Sequence, residues 1–205
     1  NVAVGKDALK ANTTADNNTA VGIDALTANT TGHSNVAIGA NALLTSTTRL
    51  GNTAVGFNAA KVTDTTGIVA VGYKAMEANT TGYDAVAVGA SSLLANTTGH
   101  SNTAVGFSAL AANTTGADNT AVGNSALLAN TTGTRNTVVG VDSSNQITSG
   151  SDNTAMGFDA LTRCTTGVSN TCIGKDAGDN ITNGGYNTCL GIDSGTNITQ
   201  GSAHV

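Results

Sequence analysis

The chain has no proline and no tryptophan, and only 3% of its 205 residues are aromatic and 10% charged. With no proline to fix a bend, turn-making falls to its 26 glycines. With so few charges, solubility has to come from Thr, Asn and Ser, a composition suited to an extracellular surface. The net charge of −5 comes without any basic cluster, which argues against a nucleic-acid partner. No stretch approaches 18 consecutive apolar residues, so no membrane insertion is expected. The three cysteines, Cys164, Cys172 and Cys189, show no Cys-x-x-Cys spacing that would suggest zinc. The three histidines, His33, His100 and His204, stand beside no Ser, Cys or acid pattern known to support nucleophilic chemistry. His33 and His100 share a G-H-S-N turn and read as solvated loop residues. No G-x-G-x-x-G and no phosphate-binding loop is present. With titratable groups this sparse, no convergent catalytic pocket is expected, and neither a catalytic residue nor a cofactor is assigned. There is no initiator Met and no signal-peptide pattern, the chain opens on the first residue of a repeat, and His204-Val205 fall where a thirteenth repeat would begin. A segment of a longer protein is therefore expected.

What is present is a repeat. The stretch Asn102–Asp118, NTAVGFSALAANTTGAD, recurs with its first glycine at 5, 22, 39, 56, 72, 89, 106, 123, 140, 157, 174 and 191. Ten of the eleven intervals are 17 residues long and one, Gly56 to Gly72, is 16. So strict a period is the signature of a stacked array. Each unit holds a strand-like T-A-V run ended by Gly, then a looser A-L-x-A-N-T-T run ended by a second Gly. That pattern predicts two short strands and two turns per coil: an all-β parallel solenoid, or β-roll, of twelve coils spanning 1–205 as one continuous array. At one strand spacing per coil, about 4.8 Å, the rod is roughly 55–60 Å long. A lone coil buries perhaps three apolar side chains at about 1.5–3 kcal/mol each. Ordering its backbone costs roughly 1–2 kcal/mol per residue. Only stacking makes the fold viable.

Numbering each unit from its Asn, position 4 is always a sizeable apolar residue, position 3 is Ala in nine units, and position 2 is Thr or Val. On a strand, positions 2 and 4 share one face and position 3 takes the other. Both faces look covered, and since a thin roll has one interior, the second needs a neighbouring chain. The Asn column, with Asn102 and Asn119 as its clearest members, is expected to hydrogen-bond along the stack. Gly106 and Gly123 are expected to turn the corner at positive φ. Thr114 represents a stacked position-13 Thr column. Leu110 at position 9 and Ile181 at position 12 are expected to fill one interior slot from opposite sides, because in the three late units position 9 becomes Ser144, Gly178 and Gly195 while position 12 becomes Ile147, Ile181 and Ile198.

Other columns carry weaker signals. The fourth unit is irregular across 52–72, where a local bulge or tightened corner is expected. The aromatic residues Phe57, Tyr73, Phe107 and Phe158 all fall at position 6, as a stripe for an adjacent chain or, alternatively, for a receptor or glycan. Asp142, Asp159, Asp176 and Asp193 form a position-7 column in four consecutive coils. Solvation is expected to relieve their repulsion, with weak Ca²⁺ binding as the sharper alternative. Cys172 and Cys189 fall one coil apart at position 3, close enough for a disulfide but with poor Cβ geometry on parallel strands, so small buried thiols are expected. The N-x-T sequons at Asn12, Asn29, Asn79, Asn96, Asn113 and Asn130 read as by-products of a structural Asn-Thr-Thr column.

The N-T-A-V-G…A-L…N-T-T-G pattern resembles repeats of phage and bacterial tail-fibre proteins, and its N-[TV]-A-[VI]-G core is similar to the N-S-V-A-I-G motif in the heads of trimeric autotransporter adhesins. The period is longer than the adhesin's, and Thr or Val replaces its Ser. The resemblance implies a left-handed roll with Asn102 and Gly106 shaping the corner, a homotrimer, and the structural rod of an extracellular fibre on a virion tail or cell surface. Such a rod holds a receptor-binding tip at a distance and has at most weak surface affinity of its own. Two rivals are weighed. An ice-binding solenoid would want a T-x-T face, whereas Thr13-Thr14 and their equivalents are adjacent and point to opposite faces. A glycan-degrading tailspike would want clustered acids.

Overall fold

The computed structural model describes residues 1–201 and Ala203. The start of a thirteenth unit expected at His204-Val205 lies outside the described residues, as does Ser202. The protein is an all-β parallel solenoid of about eleven turns. Twelve three-residue strands, one per unit, hydrogen-bond in chain order into one sheet. They run from β1 (Val2–Val4) through β4 (Thr53–Val55), β5 (Val69–Val71), β7 (Thr103–Val105), β8 (Thr120–Val122) and β11 (Thr171–Ile173) to β12 (Thr188–Leu190). Register is one-to-one: in β7 and β8, Thr103 pairs with Thr120, Ala104 with Ala121 and Val105 with Val122.

The strand alternation decides which side is the interior. Position 3 points inward, and Ala104, Ala121 and Val138 are fully buried, while positions 2 and 4 face out. Opposite them, positions 8 and 9 complete a thin core in which Ala109 and Leu110 are also fully buried. Small residues at 3 and 8 let the two walls approach closely, and Leu at 9 fills what remains.

The second strand expected in each coil does not form. Within β7's coil, Ser108 (φ 53°) and Leu110 (φ 54°) both take left-handed backbone, as does Asp118 (φ 59°) before the next coil. Alternating left-handed residues fold positions 5 to 12 into two successive tight turns, closed by Ala109 N–H to Gly106 O (3.4 Å) and Asn113 N–H to Leu110 O (3.3 Å). The carbonyl ladder to the next coil persists through Leu110 N–H to Ala126 O (3.0 Å) and Thr114 N–H to Thr131 O (3.0 Å). A left-handed leucine costs roughly 1–2 kcal/mol, so it is burial in the stack that holds it.

Gly106 has φ +135°, and a Cβ on it would lie 2.3 Å from the Gly123 carbonyl oxygen of the next coil. Both the conformation and the stacking distance therefore demand glycine at position 5. The short fourth unit is absorbed without disturbing the sheet, because β4 and β5 stay in register. Its missing residue falls at the Thr corner. Asn52 Nδ2 donates to Thr65 O (2.7 Å), the role that a glycine carbonyl plays in most other coils, and Gly67 (φ 72°) takes the left-handed last position of the unit.

Candidate functional site

Two buried asparagine columns close the coils. Asn102 Nδ2 donates to Gly116 O (2.8 Å), and its Oδ1 accepts from Asn119 N–H (3.0 Å) and Asn119 Nδ2 (3.2 Å). Asn113 Nδ2 donates to the same Gly116 O (3.0 Å) and to Asn96 Oδ1 (2.7 Å). Where both positions are Asn, in coils 1, 2, 7 and 8, the two columns meet on one carbonyl. The position-12 column also contains the sequons, and Asn29, Asn79, Asn96, Asn113 and Asn130 are fully buried in it. Thr114 Oγ1 donates to Thr131 O (3.0 Å), and Thr97 Oγ1 donates to Thr114 O (3.0 Å), so position-13 hydroxyls form a third ladder.

Leu110 and Ile181 are both fully buried in the same core. The exchange between them involves a third position that the sequence reading missed. A Cβ on Gly178 would lie 2.5 Å from Cys172 Sγ and 3.1 Å from Ile181 Cδ1, so Cys at position 3 and Ile at position 12 together occupy the volume of Leu at position 9. Val138 with Ser144 and Ile147 repeats the compensation. The signal was present: position 3 departs from Ala only where position 9 shrinks to Ser or Gly. Cys172 and Cys189 are paired in register, buried and unbridged. Burial pushes the Cys164 thiol up to about 11 and also raises Cys172 and Cys189.

The aspartate column is not fully solvated, which corrects the expectation. Asp142, Asp159 and Asp176 are half-buried, and only Asp193 is exposed. Burial first, then the charges of Asp142 and Asp176, hold the Asp159 carboxyl above the usual range. Asp159, Thr162, Arg163, Asp176 and Asp179 line a shallow crevice there. Among the described residues, no group of three or more His, Cys, Asp or Glu is placed to hold a metal ion. His33 contacts Asp16 (2.8 Å) and His100 stacks on Tyr83 (4.9 Å between centroids), all on the outside of the coil.

The main surface feature is a one-sided apolar ribbon. Of twenty exposed large hydrophobic side chains, two lie at position 2, six at position 4 and seven at position 6. It includes Phe57, Tyr73, Phe107 and Phe158, which are 45%, 54%, 58% and 48% exposed. Phe57 and Tyr73 stack at 5.7 Å, so rings on neighbouring coils follow the coil pitch. The only charged residues in these three columns are Lys6 and Lys175. Among the described residues no helix is long and apolar enough to cross a membrane. Comparison with known proteins found no matching family model, no matching curated protein and no matching solved structure.

Proposed function

We propose that this chain is a non-catalytic structural rod of an extracellular fibre, a virion tail fibre or a cell-surface adhesin, assembled side by side with three copies to a shaft. In this reading it holds a receptor-binding tip away from the particle or cell. The observation that carries the proposal is the apolar ribbon on a stack whose coils are bonded to one another along its length. Most of its backbone and Asn groups are bonded along the rod, its core is closed, and fifteen of its twenty exposed large hydrophobic side chains lie on positions 2, 4 and 6. A spacer needs length, stiffness and a lateral partner, and it needs no pocket. The position-13 hydroxyls are spent on carbonyls along the stack, which favours a structural over a lattice-binding use of the Thr column.

The test is to delete one or two whole 17-residue units from the parent protein and measure fibre length by electron microscopy alongside target binding. Each deleted coil should shorten the shaft by about 4.8 Å and leave binding intact. Polysaccharide cleavage or ice shaping by the isolated chain would overturn the reading.

A further inference from the structure

Coils 11 and 12 put two thiols in matching settings inside the core. Cys172 and Cys189 stand opposite each other in β11 and β12, both buried and unbridged. In each coil position 9 is glycine, and the sulphur lies over it. A Cβ on Gly178 would meet Cys172 Sγ at 2.5 Å, and one on Gly195 would press still closer on Cys189 Sγ. The position-12 isoleucines border the same space, with Ile181 Cδ1 and Ile198 Cδ1 at 3.1 Å and 3.5 Å from those two points. Because the sulphurs hold equivalent places in successive coils, one coil spacing separates them, about 4.8 Å. Filling the slot does not itself call for sulphur. Coil 9 fills it with Val138, Ser144 and Ile147, all fully buried.

That spacing decides what the pair can hold. A disulfide needs its sulphurs about 2.05 Å apart and its Cβ atoms about 3.8 Å apart, so closing one would drag the two coils out of their hydrogen-bonded spacing. Two metal–thiolate bonds of roughly 2.3 Å laid end to end span about 4.6 Å, a gap the stack already provides. We propose that Cys172 and Cys189 form a two-coordinate site for a soft, thiophilic metal ion held in line between the coils. Among the described residues no third His, Cys, Asp or Glu is placed to join them. Two sulphurs with apolar neighbours suit neither Ca²⁺, which takes six to eight oxygens, nor Zn²⁺, which takes four ligands; thiolates select soft ions instead. On binding, each thiol gives its proton to solvent and each sulphur forms one bond to the ion, with no change of oxidation state. Two thiolates around a divalent ion are electrically neutral, whereas a monovalent ion would leave a net charge buried in the core, which is costly. A linear divalent ion such as Hg²⁺ is therefore the best fit, and once bound it ties coil 11 to coil 12 through the interior.

The test uses Hg²⁺ itself, incubated slowly at one equivalent with the reduced chain because the thiols are buried. A small-molecule thiol is then added as competitor, and the native mass is measured. The expected result is one ion per chain that survives the competitor, two protons released per ion, and two sulphur neighbours at roughly 2.3 Å by X-ray absorption. Cys172→Ala and Cys189→Ala each install the residue that nine other coils carry at position 3, and amide exchange reports whether the stack still forms. Each should lower the competitor concentration for half release by at least about 100-fold, while Cys164→Ala changes it little. The proposal is overturned by the absence of any competitor-resistant ion, by one ion per thiol, by retention in Cys172→Ala or Cys189→Ala, or by dependence on Cys164. Zn²⁺ held as firmly as Hg²⁺ would overturn it as well. Where a variant fails to stack, the sulphur count on the unmodified chain decides alone: two supports the site, and one or three refutes it.

Discussion

Converting coil 7 to the composition of coil 11 tests the interior slot directly. Three substitutions do it: Ala104→Cys, Leu110→Gly and Asn113→Ile. Leu110→Gly alone removes a fully buried side chain and should cost about 3–5 kcal/mol, the upper part of the large-to-small range, partly offset by relief of a left-handed leucine. Asn113→Ile alone crowds Leu110, at about 1–3 kcal/mol. It also removes the donor to Asn96 Oδ1, leaving a buried oxygen short of a partner at about another 1–3 kcal/mol. Combined, Cys and Ile should refill the space vacated by Leu, as Cys172 and Ile181 do around Gly178. The triple variant should therefore be less destabilised than the sum of its parts by about 3 kcal/mol. Solenoid contacts run only to neighbouring coils, so amide exchange in coils 6 to 8 is the most direct assay, with urea unfolding as the global measure. A triple variant destabilised by the full sum, or more, would refute the shared-slot reasoning.

Other outcomes follow from the same coordinates. Gly106→Ala should loosen coils 7 and 8 by at least about 3 kcal/mol, visible as local loss of exchange protection, because its Cβ would meet the Gly123 carbonyl oxygen. Unchanged protection would show that the stack can give at that corner. The three thiols should resist alkylation at pH 8 in the folded chain and react on unfolding, since burial raises all of them. Rapid native labelling of Cys164 would contradict this. Asp159 binds its proton more tightly folded than unfolded, so its contribution to stability falls as pH rises from the ordinary carboxylate value through the raised folded one. Asp159→Asn should accordingly raise the melting temperature at pH 7 and make little difference below pH 3.5; a lower melting temperature at pH 7 would reverse the sign of the argument. Calcium against chelator should move melting by less than about 2 °C, and a shift of many degrees would make the aspartate column a metal site.

The period, the corner glycines, the Asn column and the strand alternation were legible because each depends on one residue type whose chemistry has few uses. The tight turns were not, since left-handed leucine is a conformation no local propensity favours. Their trace was nevertheless visible in which residues substitute for one another: position 7 is often Asp, Asn or Ser, all tolerant of positive φ, and position 9 gives way to Gly at Gly178 and Gly195. The expected solvation of Asp159 failed for a related reason. Whether a carboxylate column reaches water depends on how far positions 10 and 11 wrap over it, and spacing alone carries no such information.

One-to-one register between all twelve strands also bears on how such a chain is inherited. Any crossover between two copies of its gene that joins equivalent positions of different repeats rejoins matching backbone, whatever the number of units lost or gained. The length of the stack is then open to change in single-coil steps through ordinary recombination. The fourth unit, one residue short and still in register, shows that the sheet also accommodates a unit of unequal length.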